Sequence, residues 1–220
     1  MKQRYNGLMA ALLALGLAAG SAVTAGPAGD AVFATGVLDN IRTNDVLQYT
    51  HMRKGPKSEE FLPITEGGVE LKLGTREVDS RVVELTMTAD GRVRQLDALP
   101  ASAGNPILMA FMESSLRSMA KITGGSPFYI RNRMRSALRN SGELNDIKLT
   151  FEGREIDAQE AVFRPFDGDP NADSMGVFAD LSIRFVISAD IPGYFLSFSA
   201  ETPEGDLGYA EEIHLISTGG

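Results

Sequence analysis

Between residues 46 and 100 apolar and polar positions alternate with period two, the mark of strands buried on one face. In residues 46–53, Leu47, Tyr49 and His51 share one face, with Gln48, Thr50 and Met52 opposite. Val69, Leu71 and Leu73 alternate with Glu70 and Lys72, and Val83, Leu85 and Met87 alternate with Glu84, Thr86 and Thr88. Asp90-Gly91 is a hairpin signal into a strand over 92–98. Gly55-Pro56 and Gly67-Gly68 bound a polar loop between the first two strands.

The period changes at Asn105. This residue suits a helix cap and Pro106 suits a first turn. Leu108, Phe111, Met112, Ser115, Leu116, Met119 and Ile122 then recur at helical spacing until Gly124-Gly125. Ser126-Pro127 restarts the chain with the same cap logic, and Ile130, Met134, Ala137 and Leu138 form the apolar stripe of a second helix ending near Gly142. Strands resume: Ile147, Leu149 and Phe151; 161–166; Leu181, Ile183, Phe185 and Ile187; Tyr194, Leu196, Phe198 and Ala200; and a last strand over 207–217 with Tyr209, Ile213 and Leu215 on one side. The order predicts an α+β fold, an antiparallel β-sheet or half-open barrel with a two-helix insertion, about 105–141, packed on one face. One domain over 45–218 is expected, preceded by a small, Gly-rich, loose lead-in at 26–44.

Residues 1–25 break both patterns. Lys2 and Arg4 precede a short apolar run from Leu8 to Ala19, and Val23-Thr24-Ala25 offers small residues at the positions a signal peptidase reads. The run is shorter than the roughly 20 residues that span a bilayer. A signal peptide cut after Ala25, no later transmembrane span and a periplasmic address are therefore expected. The chain of 220 residues has no Cys, which excludes disulfides, thiolate metal sites and a Cys nucleophile.

The net charge of -8 argues against nucleic acid as a partner. That charge is unevenly spread. Residues 105–140 hold Arg117, Lys121, Arg131, Arg133, Arg135 and Arg139 against Glu113 alone, a net +5. After removal of 1–25, the rest holds 13 basic and 28 acidic residues, a net -15.

Candidate chemistry is sparse. His51 and His214 have no paired metal-ligand spacing, and no metal or cofactor is expected. Asp167, Asp169, Asn171 and Asp173 imitate the start of a calcium loop, but Ala172 and Phe178 stand where its central Gly and closing Glu belong, so an Asx-rich turn is the better reading. Ser118-Met119-Ala120-Lys121 matches S-x-x-K without its companion motifs, and Ser126 reads as a helix cap. No catalytic residue is assigned, although His51 has the chemistry of a general base.

Arg131, Arg135 and Arg139 fall on one helical stripe. They suit an anion, a lipid headgroup or an envelope protein partner, or else internal pairing with the acidic strands. Met109, Met112, Met119 and Met134 also lie in the helix pair, where thioethers serve a core or line an adaptable apolar groove. A ligand cavity between helices and sheet would draw on Phe111, Met112, Met119, Phe185 and Phe198.

The order of elements over roughly 45–217 is similar to the LolA-like periplasmic fold. That resemblance implies a half-open barrel with helices as a lid over a cavity for acyl chains. The segments Asn105-Pro-Ile-Leu-Met-Ala-Phe-Met and Ser126-Pro-Phe-Tyr-Ile-Arg-Asn-Arg also look like a family of exported bacterial proteins of unassigned role. Neither resemblance supplies functional residues. Three functions follow as expectations: a periplasmic binder or carrier of an apolar or lipidic ligand, an envelope interaction or assembly protein, and, least supported, a hydrolase.

Overall fold

The computed structural model describes residues 26–57, 61–76 and 80–219, so the leader expected at 1–25 lies outside the described residues. The strands are β1 (Val46–Lys54), β2 (Gly67–Arg76), β3 (Ser80–Ala89), β4 (Arg92–Pro100), β5 (Glu143–Phe151), β6 (Arg154–Phe163), β7 (Ser182–Ile187), β8 (Phe195–Glu201) and β9 (Ala210–Gly219). They form one nine-stranded sheet in the order β4-β3-β2-β1-β9-β8-β7-β6-β5. Every neighbouring pair is antiparallel. Two meanders thus run outward from a central seam, where β1 meets β9 with His51 opposite Ile213 and Arg53 opposite Glu211. The outer strands β4 and β5 do not pair with each other, so the sheet is open. Both edges carry charges that discourage further pairing, Arg92, Arg94 and Asp97 on one and Glu143, Asp146 and Lys148 on the other.

The chain crosses from the β4 edge to the β5 edge through α2 (Pro106–Thr123) and α3 (Pro127–Asn140). Their ends follow the cap chemistry of the sequence. Asn105 Oδ1 accepts from the Ile107 N–H at 2.9 Å, and its Nδ2 donates to the Gly193 carbonyl at 3.2 Å. One side chain therefore both starts α2 and ties it to the β7–β8 turn. Gly124 ends α2 in the left-handed region at φ 67°, and Ser126 caps α3. Asp90 and Gly91 have φ 47° and 79°, as a two-residue hairpin turn with right-handed strand twist needs.

The core centres on aromatic residues between α2 and strands β7 and β8. Phe111 reaches Phe185 and Phe198 with ring centroids 6.1 and 5.7 Å apart. Phe195 stacks on Phe198 at 4.8 Å. This stacking departs from simple alternation, which pairs Phe198 with Leu196. A register shift between Val186 and Ile187 sets Ile187 opposite Phe195 and brings that ring to the core.

The segment expected as a loose lead-in, 26–44, instead packs. It forms α1 (Pro27–Val32), and Ala28, Val32, Leu38 and Ile41 are buried. The Arg81 guanidinium donates to the carbonyls of Leu38 and Ile41 and holds this segment against β3. Six helical residues are too few for a periodic signal, which is why the sequence alone shows only small residues there.

Gly193, at φ 79°, sits where an added Cβ would overlap the Leu47 side chain. Gly193→Ala is expected to lower the unfolding free energy by about 1–3 kcal/mol, read from urea denaturation. A melt indistinguishable from the parent would contradict the tight approach of this turn to β1.

Candidate functional site

Three features deserve a function: a cleft, a buried polar cluster behind it, and a groove on the helices. The cleft, about 710 Å³, lies between α2 and the β3–β4 hairpin. Leu96 lies opposite Leu85, and Arg94 opposite Met87, in the β3–β4 register. Leu96, Arg94 and Met87 form the sheet wall; Met109, Ala110 and Glu113 form the helix wall. Phe111 anchors α2 over β7 and β8, and the β4 edge lies beyond that anchor, with Arg92, Arg94, Leu96 and Leu99 bordering the space. Leu62, Leu99 and Met109, which are 49, 41 and 67% exposed, all border this one cleft, while Val93, paired with Thr88, is on the other face of the sheet. Its charged border is mostly basic: Arg53, Arg92, Arg94, Arg117 and Lys121 against Glu113. Arg53 is already engaged, donating to Ser114 Oγ and the Leu62 carbonyl with its guanidinium 5.7 Å from the Phe61 ring centre.

At the cleft floor lies His51, 2% exposed. Its Nε2 lies 2.8 Å from Glu211 Oε1. An ionised carboxylate only accepts, so this nitrogen carries the proton. Glu211 is fully buried and accepts also from Ser114 (2.6 Å), Ser115 (3.3 Å) and Tyr209 (2.6 Å). Burial pushes the Glu211 carboxyl up, but the hydrogen bond and charge of His51, with the Ser114 and Tyr209 hydroxyls, outweigh it and hold it below the usual range. Burial and the adjoining carboxylate push the Tyr209 hydroxyl up. Arg53 and His51 on β1, Glu211 on β9 and Ser114 and Ser115 on α2 are joined here, so the cluster fixes the helix to the seam. Ser114 donates to Glu211 and not to His51, so no hydroxyl–imidazole pair of the nucleophilic kind is formed.

Glu211 was not singled out in the sequence, yet a signal was present. It shares parity with Tyr209, Ile213 and Leu215, which places a carboxylate on the core face of β9. His214 has the opposite parity and is exposed beside Glu212 at 3.1 Å. The two histidines thus lie on opposite faces of the sheet.

The groove, about 450 Å³, runs between α2 and α3 on their outer side. Met112, Leu116, Met134 and Leu138 floor it, with Phe33 at one end. Arg131, Arg135 and Arg139 border it together. Of the candidate ligand residues, Met112 therefore joins the arginine stripe. Phe111, Met119, Phe185 and Phe198 are 0% exposed and form the filled core instead. Phe111, Phe185 and Phe198 interlock and leave no space between their rings. Arg131 pairs with Glu113 at 3.3 Å, a carboxylate shared with Arg117 at 2.8 Å. Among the described residues no carboxylate lies within 4.0 Å of Arg135 or Arg139.

The Asx-rich loop has a structural use. Buried Asp169 accepts from the Tyr129 hydroxyl at 2.5 Å and the Asn171 N–H at 2.7 Å. Arg133 Nε lies 2.5 Å from its other oxygen, an ion-pair contact off the hydrogen-bond direction. Ser118 is buried in mid-helix.

No family model and no curated protein matches the chain. Among solved structures it is similar to lipoprotein LppX of Mycobacterium tuberculosis, at 9% identity over 83% of this chain and 89% of that one, with a TM-score of 0.34.

Proposed function

We propose that the protein is an exported binding or carrier protein for an apolar ligand with an acidic end, held in the cleft between α2 and the β3–β4 hairpin. The observation that carries this reading is the gathering of Leu62, Leu99 and Met109 around one opening. Three large apolar side chains left in water at one place mark a surface that is covered in use. Arg94 and Lys121 beside them suit a carboxylate or phosphate on the ligand. A lipid-like molecule satisfies both demands, and the sheet's open edge gives it a way in.

A fluorescent fatty acid tests the cleft. Saturable binding by the parent protein is expected, with Ala110→Trp weakening it about tenfold by filling the helix wall. Absence of saturable binding, or equal binding by a folded Ala110→Trp protein, would overturn the reading. The leader pattern supports export: a periplasmic extract should yield protein beginning at Gly26. Intact Met1 there would contradict the cut after Ala25.

A further inference from the structure

We propose that the outer face of the α2–α3 pair docks onto the surface of an anionic phospholipid bilayer. This goes beyond the cleft and does not depend on what fills it. Phe33, Met109 and Phe128 are 50, 67 and 70% exposed. Phe33 and Met109 border the helix groove, and Phe128 precedes Arg131 and Arg135 by three and seven residues, on the same stripe of α3. The apolar tips are therefore interleaved with Arg131, Arg135 and Arg139. They come from the C-cap of α1, from α2 and from α3. Such a surface places shallow apolar side chains at the acyl boundary and guanidinium groups among the phosphates.

Charge complementarity selects the partner. Glu113 is the one acid of residues 105–140, and it is already shared by Arg117 and Arg131. Arg135 and Arg139 have no carboxylate within 4.0 Å among the described residues. The strand-rich remainder is strongly acidic, so a negative surface attracts one side of the molecule and repels the rest. That field turns the helices toward the bilayer before contact. Met109 and Glu113 border both the groove and the cleft. The docked face thus runs directly into the cleft mouth.

Vesicle co-sedimentation without added ligand tests this, using the full exported chain. Vesicles of phosphatidylcholine with about 30% phosphatidylglycerol should bind the protein, and high salt should weaken the binding. Arg135→Glu with Arg139→Glu should reduce it about tenfold or more. Arg135→Gln with Arg139→Gln serves if the reversal disturbs folding, as seen by circular dichroism, and should give a smaller loss of the same sign. Phe128→Ser with Met109→Ser should leave a weaker, still salt-sensitive binding. No binding to the anionic vesicles, equal binding to phosphatidylcholine alone, or unchanged binding after the arginine substitutions would overturn the proposal. Fatty-acid binding by the arginine variants is expected to persist, so loss of docking and loss of the cleft are told apart.

Discussion

Glu211→Ala is expected to lower the unfolding free energy by about 3–5 kcal/mol, measured by urea denaturation near neutral pH. The side chain is fully buried and is the common acceptor for His51, Ser114, Ser115 and Tyr209. Removing it strands four donors at once, three of them on buried residues. Glu211→Gln should cost less, because an amide oxygen still accepts while its NH2 faces donors. A Glu211→Ala protein within about 1 kcal/mol of the parent would show that the cluster relaxes or hydrates instead. The same carboxylate predicts a pH dependence. Its folded value is depressed, so its contribution is complete above the unfolded carboxyl pKa of about 4.3. The contribution is lost as pH falls through the still lower folded value. The acid limb of a stability profile should therefore be flatter in Glu211→Gln than in the parent.

Phe111→Ala is expected to cost about 3–5 kcal/mol. Phe111 is the ring through which α2 holds the sheet, touching both Phe185 and Phe198. Its loss leaves a void at the point where the helix is anchored, and it loosens the wall that bounds the cleft. Met109→Ala, on the same helix but 67% exposed, should change stability by less than about 0.5 kcal/mol. The contrast between two apolar residues two positions apart separates core from ligand surface. Equal losses from both would mean that Met109 also packs in solution.

Most strands and both long helices were legible because each carries a periodic stripe of ordinary length; β6 was not, since the strand expected at 161–166 runs over Arg154–Phe163, whose first half is mostly charged and polar. The caps were legible because Asn105, Gly124 and Ser126 each do a local job visible in a few residues. The pairing of β1 with β9 was not, since strand order depends on contacts between residues about 160 apart. The cleft was hidden for a related reason. Period-two alternation identifies which residues share a face but not whether a helix covers that face. An irregularity pairs Leu96 with Leu85 and Leu99 with Val83, which breaks the alternation of β4, and Val83 is buried while its partner Leu99 is exposed. The arginine stripe was visible as spacing, while its meeting with Met112 and Phe33 required the packing of α1 and α3.

The central seam has a consequence for how the molecule is made. Its two strands are the first and last of the described strands, so β9 is synthesised after the other eight. Until then each meander can form its own hairpins, but the middle of the sheet has no partner and Glu211 is not yet there to receive His51. Such distant pairing makes folding slow. A chain shortened before Ala210 would be left as two four-stranded arms with exposed inner edges, a form prone to join with other copies of itself. Commitment to the native state thus waits for β9.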